Sequence, residues 1–172
     1  MNTLKFFFIL SLTSLLSYGQ TADVFQVART GNLDQIKSIF AQDEKSIDVI
    51  DNNSFTPLIL ATYRSNNEVA IFLVENTKQI NYTSKMGSTL MAAIYKNNVL
   101  VFDALIKKGI DLNLTDENKT TALMLAVTLQ NIELTKKLIE KGANKSLKNH
   151  INKTAFELAL DTNNKSLIQL FN

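Results

Sequence analysis

The chain of 172 residues has no cysteine, one histidine, one proline and five glycines. Without cysteine there is no thiolate zinc site, no Cys nucleophile and no disulfide framework, and a lone His cannot form a clustered His site. Most metalloenzyme and triad chemistry is set aside by that. A surplus of charge is missing too: 18 Lys+Arg against 16 Asp+Glu give +2, too near neutrality to make nucleic acid the expected partner. Few Gly and Pro, with 45% hydrophobic and 20% charged residues, describe a folded globular chain rather than a disordered one. The length suits one domain.

The first residues have a different character. Lys5 gives a positive start, Phe6 to Leu16 is an almost unbroken apolar run, and Ser17 and Gly19 are small residues suited to a cut before Gln20. Residues 1–19 read as a secretory signal peptide, and 20–172 as the mature domain. The run is shorter than the ~20 apolar residues that span a bilayer, so no stable membrane insertion is expected after cleavage. A short leader followed directly by Gln fits a bacterial envelope protein, placing the mature chain in the periplasm or outside the cell.

Self-comparison of the mature chain reveals a period. Val27, Ala61, Ala93, Ala126 and Ala159 are spaced by 34, 32, 33 and 33 residues. Twelve residues after each stands Ile39, Leu73, Leu105, Leu138 or Phe171, so two apolar positions share one period. Between them fall Gly31-Asn32, Ser65-Asn66, Asn97-Asn98, Gln130-Asn131 and Asn163-Asn164. Gly and Asn tolerate left-handed backbone, and Asn caps helices, so each unit predicts two short helices joined by a polar turn. In the second helices apolar residues recur at helical spacing, as in Val101, Phe102, Leu105 and Ile106, so one face of each is buried. Gly109 and Gly142 follow lysines at predicted helix ends, where a permissive residue and a nearby cation both fit.

These units resemble the ankyrin-repeat family, in which ~33-residue units pair two antiparallel helices with a β-turn finger. The family's Thr-Pro-Leu-His-x-Ala stretch lines up with Thr56 to Ala61, Ser88 to Ala93, Thr121 to Ala126 and Thr154 to Ala159. Its Gly-Ala-Asp-x-Asn segment lines up with Gly109 to Asn113 and less well with Gly142 to Ser146. The resemblance implies an all-α-dominated solenoid of about four full repeats and a truncated C-terminal one. Arg29, Asp34, Gln35 and Lys37 at one end, and Lys165, Ser166 and Gln169 at the other, are expected to form wetted outer faces.

Where the family has His, this chain has Ile59, Met91, Met124 and Glu157, so the imidazole relay between units is missing and packing is expected to carry more of the stability. Met91 and Met124 are expected to fill core volume. Repeat two has Thr77 where Gly is expected and a finger one residue short, which marks its junction as the weakest.

No catalytic, cofactor-binding or metal-binding constellation is found. His150 is expected to be a solvated loop residue without an orienting partner, and Asp43-Glu44 and Asp116-Glu117 lack the alternating ligands of a calcium loop. An enzyme is therefore not expected. Lysines interleave with acids, which reads as solvated surface. The resemblance instead implies a protein-binding face on finger tips and the ends of the first helices. Carried onto this sequence, it falls on Asn52, Asn53, Phe55, Tyr63 and Arg64; Ser84, Lys85, Tyr95 and Lys96; Glu117, Asn118, Thr120 and Leu129; and less strongly His150 and Ile151. Tyr63 and Tyr95 are open to two readings, as interface anchors or as rings packed on the adjacent finger. The expected partner is another protein, bound by a monomer. Small exported bacterial members of the family also leave open a companion of an envelope enzyme or toxin, as in oxidative-stress defence.

Overall fold

The computed structural model describes residues 23–172; the export segment read at 1–19 lies outside the described residues. Helices come in pairs: α1 (Val24–Thr30) with α2 (Leu33–Gln42), α3 (Pro57–Tyr63) with α4 (Asn67–Asn76), α5 (Thr89–Tyr95) with α6 (Val99–Lys108), α7 (Ala122–Thr128) with α8 (Ile132–Glu140), and α9 (Ala155–Asp161) with α10 (Lys165–Gln169). The odd-numbered helices stack in one layer from α1 to α9, and the even-numbered ones form a second behind it. This is the helical solenoid that the period predicts. Among the described residues strand is confined to a hairpin of two-residue strands, β1 (Thr83–Ser84) and β2 (Gly87–Ser88), and an isolated bridge between Thr115 and Thr121.

The doubly anchored period is the core. Val27 and the four alanines at 61, 93, 126 and 159 are buried, as are Leu73, Leu105 and Leu138, while Ile39 and Phe171 at the two ends are half-buried. Small residues at the first mark let adjacent odd helices pack closely. Ile59, Met91 and Met124 are buried between the helices, filling the volume expected of them. Each odd helix after the first starts at a hydroxyl cap: Thr56, Ser88, Thr121 and Thr154 accept the N–H of Ile59, Met91, Met124 and Glu157 at 3.2, 3.4, 3.3 and 3.2 Å. Gly109 and Gly142 end α6 and the turn after α8 with φ of 85° and 87°, the left-handed closure expected of them.

The turns depart from expectation in an instructive way. Ser65, Asn97, Gln130 and Asn163 are left-handed, with φ of 56°, 49°, 53° and 55°, yet Gly31 has φ −81°. Glycine is required at position 31 by space, because a Cβ there would stand 2.7 Å from Val27 Cα and 2.8 Å from Gln35 Oε1.

The turn asparagines link neighbouring repeats by hydrogen bonds, so packing is not left to join the repeats alone. Asn66 Nδ2 donates to the Gly31 carbonyl (2.9 Å), Asn98 Nδ2 to Asn67 Oδ1 (2.7 Å), Asn131 Nδ2 to Asn97 Oδ1 (2.8 Å) and Asn164 Nδ2 to Gln130 Oε1 (3.1 Å). Asn98, Asn131 and Asn164 at the same time accept helix N–H groups through Oδ1. One amide therefore caps its own helix and ties it to the preceding unit.

Thr77 is not a bare defect either. Its buried hydroxyl donates to Asp48 Oδ1, the Lys78 N–H donates to Asp48 Oδ2 (3.1 Å), and Gln79 Nε2 reaches the Asp48 carbonyl (3.0 Å). A threonine in extended backbone thus gains a side-chain link that glycine could not make. At the N-terminal end Asp34, Gln35 and Lys37 are exposed as expected, but Arg29 turns toward the next finger and pairs with Asp51 at 3.4 Å. At the other end Lys165, Ser166 and Gln169 are exposed, and so are the apolar side chains of Phe156 and Leu160. Among the described residues no helix is long and apolar enough to cross a membrane.

Candidate functional site

The connectors between repeats are built to one plan. Asp51 Oδ1 accepts the N–H groups of Asn53 and Phe55 (both 2.9 Å), and its own N–H donates to the Phe55 carbonyl. Asp116 does the same for Asn118 (2.9 Å) and Thr120 (2.8 Å), and Asn149 for Ile151 (3.2 Å) and Lys153 (3.0 Å). Each loop closes through a left-handed residue three positions on, namely Ser54, Lys119 and Asn152. The organising side chain turns inward, so the two residues after it form the tip.

In the second finger Ser84 takes the organising place. Its hydroxyl accepts from the Met86 N–H (3.2 Å) and donates to the Gly87 carbonyl (3.1 Å), with Gly87 at φ 104° as the left-handed residue. Ser84 is therefore 7% exposed, which removes it from the binding face on which the sequence placed it. The true tip is Lys85 and Met86, and Met86, 59% exposed, is the surface residue that the sequence reading missed. The missing residue of this finger lies on its return path, at the place Phe55 holds in the first finger. Counting it before the tip shifts the assignment by one.

Neighbouring fingers are joined through Tyr82 Oη to the Ser54 carbonyl (3.0 Å), the Glu117 N–H to the Lys85 carbonyl (3.2 Å) and the His150 N–H to the Asn118 carbonyl (2.9 Å). His150 Nδ1 also lies 3.2 Å from that carbonyl oxygen, so this exposed residue has a positioning contact that the solvated-loop reading did not foresee.

Along the ends of the odd helices runs an aromatic row. Phe55 and Tyr63 meet edge-to-face with ring centroids 6.2 Å apart, and Tyr63 and Tyr95 repeat the arrangement at 6.2 Å. Tyr63, half-buried between the two, has its phenol pushed above the ordinary tyrosine range by burial and then by Tyr95. Tyr95 has no counterpart of Phe55 in its own shortened finger and is 61% exposed. Tyr63 thus packs on its finger, as one of the two readings has it, while Tyr95 offers a ring to solvent.

Three shallow clefts follow this face. One of about 300 Å³ is lined by Phe55, Leu60, Tyr63, Arg64, Met86, Tyr95 and Lys96. A second of about 490 Å³ lies between finger tips and holds Asn52, Asn53, Phe55, Lys85, Met86 and Glu117. A third of about 500 Å³ brings Tyr95 and Leu129 together with Ile132 and Glu133. Of the candidates, Ser84, Asn118, Thr120, His150 and Ile151 line none of these: Ser84 is buried, the Asn118 carbonyl is held by His150, and half-buried Thr120 closes its finger.

The family profile described as ankyrin repeats (3 copies) matches residues 24–116 and 90–171. Among curated proteins, the ankyrin repeat and SAM domain-containing protein 6 of Rattus norvegicus is 28% identical over 102 residues, and its Mus musculus counterpart 26% identical over 102 residues. Each match covers 58% of this chain and only 12% of the relative's length. This chain thus spans only about an eighth of the length of these relatives.

Proposed function

From the premise that this chain belongs to the ankyrin-repeat family, whose repeats generally mediate protein–protein interaction, we propose that it is a non-catalytic binding module that holds a folded protein against its finger and odd-helix face. The observation that carries this reading is the aromatic row Phe55, Tyr63 and Tyr95, flanked by Arg64 and Lys96 on a rigid scaffold. Aromatic rings that lose little entropy on binding, with a guanidinium nearby, are the usual composition of interface hot spots.

The apolar run and small residues of 1–19 support export, and we place the module in a bacterial envelope on that ground alone. N-terminal sequencing of the protein isolated from its native source is expected to begin at Gln20; a chain that still begins at Met1 in the cytoplasm would refute export.

The binding face is tested by affinity capture from the native envelope fraction with wild type and Tyr63→Ala/Tyr95→Ala side by side. Loss of the captured partner, by about 2 kcal/mol or more in affinity, is expected with helicity unchanged. Equal retention by the double variant would sink the assignment.

A further inference from the structure

We propose that the element bound in the cleft of Phe55, Tyr63 and Tyr95 is an acidic segment that presents one bulky apolar side chain, an inference that rests on the binding face just described. The cleft has an apolar lining of Phe55, Leu60, Tyr63 and Met86, and its volume of about 300 Å³ suits one large side chain rather than an extended ligand. Its charged lining is Arg64 and Lys96, with no acid. Neither cation is ion-paired among the described residues, in contrast to Arg29, Lys137 and Lys153. Lys85 stands beside Met86 at the next tip, and the one acid of the neighbouring cleft, Glu117, lies beyond it.

The shortened finger explains why the cleft exists here. Deleting the position that Phe55 fills one repeat earlier leaves the Tyr95 ring uncovered on that side, and Met86 stands at the rim. An aromatic wall of this kind also attracts cations. Two positive charges in the same lining make a cationic ligand repulsive and an anionic one complementary. Single-stranded nucleic acid shares the liking for aromatic and basic groups, but it needs positive charge that tracks a backbone. Past the second finger this face offers Glu117, Asn118 and Leu129 instead.

The test uses the full chain and three fluorescein-labelled peptides: Ser-Asp-Glu-Phe-Glu-Asp-Ser, its amide counterpart Ser-Asn-Gln-Phe-Gln-Asn-Ser, and the acidic peptide with Gly for Phe. By anisotropy, the acidic Phe peptide is expected to bind about tenfold more tightly than either control, with the margin shrinking as salt rises. Arg64→Glu/Lys96→Glu, checked for unchanged helicity, is expected to reverse the order of the acidic and amide peptides. Equal or tighter binding of the amide peptide overturns the proposal, as does binding of none of the three or displacement by a dT12 oligonucleotide at matching concentration. If the amide peptide binds at least as tightly as the acidic one and Tyr63→Ala/Tyr95→Ala loses it, the binding face stands and the acidic partner falls. If the acidic peptide binds that double variant unchanged, both fall.

Discussion

Two rows of polar residues run the length of this molecule at the same period, and they spend their hydrogen bonds differently. In the row of inter-helix turns, Asn66, Asn98, Asn131 and Asn164 each donate to the repeat before, and three of them also cap the helix they begin. In the row of fingers the inward residues Asp51, Ser84, Asp116 and Asn149 bond to backbone within their own loops, while the tips carry side chains that differ at every repeat: Asn-Asn, Lys-Met, Glu-Asn and His-Ile. Regular and internally satisfied groups hold the array together. Irregular groups whose side chains face solvent are available to something else, and periodicity with internal bonding is what separates scaffold from site.

The turn row is broken most severely at Asn98, which is buried and serves both roles. Asn98→Ala is expected to cost about 1–3 kcal/mol, the sum of a lost cap and an Asn67 oxygen deprived of its donor. Urea denaturation should register that loss, while retention of a partner by the remaining folded protein stays at wild-type level. A variant with normal stability and poor retention would invert the division between the two rows.

A smaller pair of changes separates the two reasons for a special residue at a turn. Gly31→Ala is expected to destabilise by about 1–2 kcal/mol despite an ordinary φ, because the added methyl presses on the Val27 backbone. Ser65→Gly is expected to stabilise by at most about 1 kcal/mol, since Ser65 sits at φ 56° where only glycine is free of strain. Denaturation midpoints that move in the same direction would refute this account of the turns.

Most of the fold was legible because its determinants repeat: a small residue and a large apolar one at fixed distance, with Gly109 and Gly142 after cation-rich helix ends, dictate the stack. The sequence presents the turn asparagines as helix caps and as residues that tolerate left-handed backbone. Their amide nitrogens act across a repeat boundary, which becomes visible only when a residue is set beside its counterpart one period earlier. Arg29 was read as wetted surface for the same reason, since its partner Asp51 belongs to the next unit. The candidate site was legible at Tyr63, Arg64, Tyr95 and Lys96, which follow directly from the helix register. It was misplaced at the second finger because a one-residue deletion can lie on either side of a tip. Only the hydroxyl geometry of Ser84 fixes which side, and with it the place of Met86.

The end of the odd-helix layer provides the finest test, because there the structural row becomes solvent-exposed. Glu157 occupies the position that Met124 fills, buried, one repeat earlier. Exposed on α9, its carboxylate accepts the Thr154 N–H at 2.7 Å and the Thr154 hydroxyl at 2.8 Å, completing a capping box. Those bonds, the backbone one foremost, hold its carboxyl below the usual glutamate range. A carboxylate more acidic in the folded than in the unfolded chain adds stability above its unfolded value near 4.5, and that stability is lost as pH falls through the folded value. Wild type is therefore expected to exceed Glu157→Gln slightly in urea midpoint at neutral pH, with the gap closing as pH falls from 4.5 through the lower folded value. A gap that persists in acid would mean that the side chain acts by packing, as Met124 does, and that its charge contributes nothing to the cap.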